Sequence, residues 1–346
     1  MDNQEVNIKS RSAFYLWLFG LLFSFFFTTL IWLLGPNLRH FTDIFLPDGG
    51  ASWYYWQLPS RDSLVMVTVW ALYLVHQFSI WTAIYFAYKN LHGFREASWW
   101  GLPKYSLVVF VINLVFVSLH LLQTHLWFDG LAQDVPIFTS QYSVIIMLAV
   151  VIILENPRRG LLLGSKAGKP FTAQVIAFFR RIHMYIFAWA LIYTFWFHPM
   201  AADPQLVSGF FYMFLLFTQM MLAWTWVHLE RKWIVLLESY VAIHAVIVAV
   251  FNTSFFSSPV MWPMFLSGFA FMFVFTYMYA FRINRTVYWL VTVVYLLFLA
   301  WLYLPEPLGY GRSLANLMRL EFLWIPIILH ALAWLFAGLT YLKIRK

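Results

Sequence analysis

The segment 104–126 reads KYSLVVFVINLVFVSLHLLQTHL and decides what kind of protein this chain forms. It is long and apolar enough for one helix across a bilayer, which takes about 20 such residues. The residues that follow, WFDGLAQD at 127–134, add two carboxylates beside the histidines of the run. Ionisable side chains are costly in lipid, so each one in a membrane span is a candidate functional residue. This stretch therefore predicts a membrane helix that ends in polar chemistry.

The composition of the whole chain indicates a membrane protein. Hydrophobic residues make up 63% of its 346 residues, and charged residues only 10%. Soluble domains have about 45–50% apolar and about 25% charged residues. The sequence therefore predicts an all-α, polytopic integral membrane protein with no soluble domain. We expect residues 1–346 to form a single transmembrane helical domain.

Apolar runs of membrane-spanning length recur along the chain, separated by glycine, proline and charged residues. We expect about ten transmembrane helices. The predicted spans are about 13–34, 64–87, 104–126, 137–154, 176–197, 207–228, 233–252, 259–281, 286–304 and 321–342.

Lysine and arginine are distributed unequally over the loops between these runs. If the N-terminus is inside, the outer segments contain only Arg39, Arg61, Arg312 and Arg319 of the 22 basic residues. Because cytoplasmic loops carry the excess of positive charge, this predicts N-in and C-in, and we expect a bacterial inner membrane. The net charge of +8 has the same origin, so no nucleic-acid partner is predicted.

Several kinds of site are excluded by the sequence. The chain has no cysteine, so disulfides, iron–sulfur clusters and thiolate metal sites cannot form. The segment 160–170, GLLLGSKAGKP, is glycine-rich and basic like a phosphate-binding loop. It lacks the G-x-x-x-x-G-K-[ST] spacing, so it does not predict a nucleotide site.

Histidines and carboxylates near the outer ends of the third and fifth spans predict a catalytic centre. His125 and Asp129 are four residues apart, hence on one helical face if the third helix continues that far. The carboxylate would then orient the histidine as a general base. His198 ends the fifth span at similar depth. The alternative is that each histidine simply meets water and headgroups. His120 would lie about 140° from His125 on a straight helix, so these two do not predict a metal pair.

A second group lies deeper in the predicted membrane. His76, His244 and His330 fall near the middle of three different spans, where they need partners. They predict a metal site or ligands of haem b, because neutral imidazole is the commonest metal ligand. Glu238, on the cytoplasmic side of the seventh span, predicts an acid–base residue on a proton path. The alternative is that each histidine hydrogen-bonds a neighbouring helix.

These residues leave several functional hypotheses open. The first is an enzyme acting on a lipid or lipid-linked group near the outer leaflet, for example by acyl transfer or transfer of another group. The second is a haem- or metal-binding redox protein using the mid-membrane histidines. A proton-coupled transporter and an accessory subunit of a membrane protein complex are further alternatives. Membrane lipids are the expected partners, and the expected substrate is apolar or lipid-linked.

Overall fold

The structure is a computed structural model that describes residues 11–42, 62–98, 101–136, 138–256, 261–281 and 283–345. Within these ranges the regular structure is helical, with isolated bridges pairing Ala97 with Pro103 and Leu162 with Ser165. The long helices, numbered α1 to α10, are Arg11–Leu34, Ser63–Lys89, Lys104–Trp127, Phe138–Arg159, Ala173–Phe197, Pro204–Met221, Arg231–Phe256, Trp262–Phe275, Arg285–Tyr303 and Trp324–Arg345. Short helical segments are Gly35–Leu38, Arg39–Thr42, Leu91–Gly93, Leu131–Gln133, Val227–Leu229, Tyr277–Ala280, Leu314–Met318 and Glu321–Leu323.

Nine helices in the described ranges are long and apolar enough to cross a membrane. The prediction of an all-α protein with many membrane-length helices is therefore confirmed. Every predicted span contains a long helix, but α6 (Pro204–Met221) is not among the nine. The predicted run 207–228 is longer than this helix because the chain turns at Leu222–Thr225, where Trp224 has a φ of 62°. The count of ten spans and the orientation stay predictions.

The chain forms two compact units, which we call unit 1 and unit 2. Unit 1 comprises Met1–Val144 and Met184–Ile234, and unit 2 comprises Ile145–His183 and Val235–Lys346. The predicted single domain over residues 1–346 stays a prediction.

Unit 1 is held together by aromatic packing among α1, α2, α3, α6 and the second half of α5. The largest fully buried side chains include Trp196, Phe195 and Phe214. Helices α1 and α6 approach closely at Gly20, where a Cβ would lie 2.3 Å from Cγ2 of Thr218. A larger residue at this point would push the two helices apart.

Unit 2 is built around α8, which packs against both α9 and α10. Tyr295 of α9 donates its hydroxyl to the carbonyl of Ser267 in α8 (3.3 Å). Between α9 and α10, Arg312 donates to both carboxylate oxygens of Glu321 (2.9 and 2.8 Å), and Tyr303 donates to the same carboxylate (2.9 Å). Hydrogen bonding to Glu321 raises the pKa of Arg312, so the guanidinium stays charged.

Candidate functional site

The C-terminal part of α3 and the end of α5 are joined by hydrogen bonds in unit 1. Nε2 of His120 lies 2.8 Å from the carbonyl oxygen of His198 and 3.1 Å from that of Phe195. One turn further along α3, Oγ1 of Thr124 accepts from the backbone N–H of Met200 (2.9 Å). Two polar side chains of α3 therefore bind the backbone at the end of α5, where helical carbonyls would otherwise lack partners.

Gln123 extends this network to the segment after α3. Its Oε1 lies 3.0 Å from Nδ1 of His120, and its Nε2 donates to the carbonyl oxygen of Asp129 (3.1 Å). The ring of His120 is fully buried, and it thus connects α3, the end of α5 and the turn at Asp129. A neutral imidazole donates through one nitrogen only, so the neutral ring donates either to the carbonyls at the end of α5 or to Gln123.

One ring nitrogen of His125 has no hydrogen-bond partner in the described residues. Its Nδ1 lies 2.8 Å from the carbonyl oxygen of Leu121, one turn earlier in α3. A carbonyl only accepts, so this contact places the proton of the neutral ring on Nδ1. Nε2 is then the nitrogen with the free lone pair. It is buried and has no hydrogen-bond partner in the described part of the chain.

Asp129 is not placed on the helical face of His125. Helix α3 ends at Trp127, and Phe128 adopts a left-handed conformation with φ 45°. The expected spacing of four residues on one helix therefore does not apply. The side chain of Asp129 is fully buried, and its Oδ1 accepts from the N–H of Gly130 (2.7 Å). The carbonyl of Leu121, not this carboxylate, orients the His125 ring.

His198 follows directly after α5, and its Nδ1 lies 3.0 Å from the carbonyl oxygen of Thr194. Its backbone carbonyl is the group that meets His120. The structure thus brings the backbones at His198 and Asp129 to one connected network through His120 and Gln123. The ring of His125 hydrogen-bonds only within α3 in the described ranges. The catalytic roles of His125, Asp129 and His198 stay predictions.

Glu238 lies in unit 2 and has an ionic partner that the sequence reasoning missed. The two carboxylate oxygens accept from both terminal nitrogens of Arg159, with the Nη2–Oε1 distance at 2.6 Å. Both side chains are nearly inaccessible, at 1% for Arg159 and 6% for Glu238. The guanidinium carbon of Arg159 also lies 4.7 Å from the ring centroid of Tyr277. This bidentate geometry holds a charged pair, and a proton path through Glu238 stays a prediction.

Two of the histidines predicted to lie near the middle of the membrane have hydrogen-bond partners within their own units. In unit 1, Nδ1 of His76 accepts from Nε1 of Trp196 (3.1 Å), and its Nε2 donates to Oδ1 of Asn113 (3.1 Å). In unit 2, His330 lies within 2.8 Å of the Pro326 carbonyl and 3.1 Å of the Leu161 carbonyl. A metal on either ring would require one of these contacts to open.

The third histidine of that group, His244, lies on α7 in unit 2. Among the described residues, no group of three or more histidine, aspartate or glutamate side chains is close enough to hold a metal ion. The metal or haem b site of His76, His244 and His330 stays a prediction.

A sequence signal could have found His120. His120, Gln123 and Thr124 are three and four residues apart, so they share one face of α3. Three polar residues on one face of an apolar span indicate a polar contact with a neighbouring helix.

No protein-family model, curated protein or solved structure matches this chain. The function must therefore be argued from the side chains alone.

Proposed function

We propose that this chain is an integral membrane enzyme acting on a lipid or lipid-linked group, with His125 as its general base. The fold in this proposal has ten spans, with both termini inside, in a bacterial inner membrane. The centre then lies near the outer leaflet, at the end of α3. Many large hydrophobic side chains are exposed on the described helices, and such a surface is compatible with a long apolar substrate.

The unpartnered Nε2 of His125 carries this proposal. A general base needs a lone pair that no donor occupies and a tautomer that cannot switch easily. The Leu121 carbonyl fixes the proton on Nδ1, and Nε2 stays free and buried. Buried polar atoms without partners are rare in folded proteins, so each one requires an explanation. A hydroxyl or water proton of a bound substrate would supply the missing partner.

Asp129 and His198 complete the centre in this proposal. Asp129 is a buried acidic side chain two residues beyond the end of α3, and it supplies negative charge that stabilises a protonated histidine. His198 supplies the second acid–base group. Its position is fixed because its carbonyl accepts from His120 and its Nδ1 donates to Thr194.

The substitution His125→Gln tests the proposal. Purified protein is incubated with a bacterial lipid extract, and lipid-derived products are quantified by mass spectrometry. Glutamine keeps the polar contact to the helix but cannot take up a proton, so product formation should fall by about 10²-fold or more.

The matched control is His92→Gln, because His92 lies in the exposed Leu91–Gly93 segment and takes no part in the proposed centre. This variant should form product at the wild-type rate. Absence of any product with the wild type, or equal product with His125→Gln, would contradict the proposal.

A further inference from the structure

A cavity of about 450 Å³ lies in unit 2 between the turn that follows α4 and the helices α8 and α10. This volume is in the range of small-molecule binding sites, about 300–1,000 Å³. Its apolar walls include Phe271 of α8 with Ile327 and Trp334 of α10. Ser165 and Lys166 of the turn form a polar edge. The cavity is therefore almost entirely apolar, with a hydroxyl and an ammonium group at its edge, as expected for a site that holds an acyl chain and leaves the headgroup at the rim.

The turn that forms one wall is fixed by hydrogen bonds to two helices. The N–H of Leu163 donates to the carbonyl of Phe275 at the end of α8 (2.8 Å). The carbonyl of Leu161 accepts from Oγ1 of Thr276 (2.9 Å) and is in contact with Nε2 of His330 on α10 (3.1 Å). These contacts preform the wall, so a ligand would not have to order it on binding.

Glycine is required where the turn leads into the polar edge. Gly164 has φ +73°, and a Cβ at this position would lie 2.9 Å from Cδ1 of Tyr279. The glycine-rich segment 160–170 thus serves this turn, although it lacks nucleotide-binding spacing. Directly after Gly164, the chain presents Ser165 and Lys166 to the cavity.

Lys166 gives the cavity its charge. Among the described residues that line the cavity, Lys166 is the only basic side chain besides His330. These lining residues include no aspartate or glutamate. Its side chain is exposed and forms no ion pair with the described residues. An ammonium at the mouth of an apolar cavity complements an anionic headgroup with an attached acyl chain.

We propose that this cavity binds one acidic phospholipid, with its phosphate at Lys166 and Ser165 and an acyl chain against Phe271, Ile327 and Trp334. The predicted orientation places the loop of Lys166 on the cytoplasmic side, where anionic lipids attract basic side chains. The site uses no residue of the centre at His125, so it stands independently of the proposed enzyme.

Lipid titration of the purified full-length chain by native mass spectrometry tests the headgroup contact. The probes are phosphatidylglycerol and phosphatidylcholine with identical acyl chains. The wild type should bind one phosphatidylglycerol about fivefold more tightly than phosphatidylcholine, and Lys166→Gln should remove that preference. Lys169→Gln is the matched control, because Lys169 is exposed and does not line the cavity.

A second variant tests the acyl-chain contact. Ile327 is 55% exposed, so Ile327→Trp should narrow the cavity without disturbing the core. If the tryptophan ring excludes about two methylene groups of the acyl chain from the cavity, the affinity for both lipids should fall about tenfold. The proposal is overturned if Lys166→Gln binds like the wild type, if Lys169→Gln loses the preference equally, or if Ile327→Trp leaves both affinities unchanged.

Discussion

The two units bury polar groups in different ways. Unit 2 buries charges as pairs, such as Arg159 with Glu238. Unit 1 buries neutral groups in contact with one another, such as His76 with Asn113 and Trp196, as well as the carboxylate of Asp129. A buried ion pair is stable only when both charges and their hydrogen bonds are satisfied. A neutral polar group without a hydrogen-bond partner costs less free energy than an unpaired charge. Such a group can therefore stay without a partner until a ligand binds.

The unsatisfied atoms lie mainly in unit 1, and they are not all neutral. In unit 1 they include Nε2 of His125, Nδ2 of Asn113, both amide atoms of Gln77 and Nε of the charged Arg95. In the described part of unit 2 the buried side-chain atoms without a partner are Nε of Arg159 and Oγ of Ser239. In the described residues, unit 1 thus leaves more buried polar side-chain atoms without a partner than unit 2, and its interior is the region to which the proposed function assigns the substrate.

The largest effect is expected where the buried ion pair is broken. Arg159→Met leaves the carboxylate of Glu238 buried without its partner, which should lower the free energy of unfolding by about 3–5 kcal/mol. The double variant Arg159→Met/Glu238→Met should recover most of this loss, because no charge then remains. Denaturant titration of the purified protein in detergent measures both.

The neighbouring arginine provides the control for this prediction. Arg158 pairs with Glu155 on the same helix but is 26% exposed, so Arg158→Met should cost at most about 1 kcal/mol. An equal loss for Arg158→Met and Arg159→Met, or no recovery in the double variant, would show that the buried pair does not hold unit 2 together.

A smaller effect is expected in the neutral network of unit 1. Asn113→Leu removes the acceptor of the His76 Nε2–H, so the free energy of unfolding should fall by about 1–3 kcal/mol. Ser106→Ala on the same helix is the control, because the Ser106 hydroxyl is buried without a partner in the described ranges. If the two variants unfold at the same denaturant concentration, the His76–Asn113 contact contributes nothing.

The smallest effect is expected at Gln77, the neighbour of His76 on α2. Both amide atoms of Gln77 are buried and lack partners in the described part of the chain. Gln77→Leu should therefore leave the free energy of unfolding unchanged or raise it by up to about 1 kcal/mol, since an unsatisfied polar group is removed. A loss of stability comparable with that of Asn113→Leu would mean that Gln77 has a structural partner.

The helices could be predicted from the sequence because each apolar run had the length that a bilayer dictates. The end of α3 could not be predicted, because a single residue in the left-handed conformation, Phe128, ends the helix before Asp129. Because the helix ends two residues before Asp129, His125 and Asp129 do not share one helical face as expected. The turn signal was present in Asp129-Gly130, but the apolar context outweighed it.

The sequence also does not predict which ionisable side chains form pairs. Glu238 in a span required a basic partner, and Arg159 supplies it from a position 79 residues earlier. Arg158, Arg180 and Arg181 also lie at the cytoplasmic ends of predicted spans, so the sequence does not single out Arg159 as the partner of Glu238. The choice among them depends on how helices pack side by side, and the periodicity of one helix does not contain that information.

One backbone atom in unit 2 has a consequence for biosynthesis. The carbonyl of Leu161 meets Thr276 and then His330, which lies 169 residues later in the chain. As the ribosome releases the chain from its N-terminus, the first of these contacts must wait for the next 115 residues, and the second must wait until α10 has been made. Contacts between such distant residues close slowly. The turn that forms one wall of the cavity would thus be completed only after α10 is made, and a nascent chain lacking α10 would expose an unfinished turn to quality-control proteases.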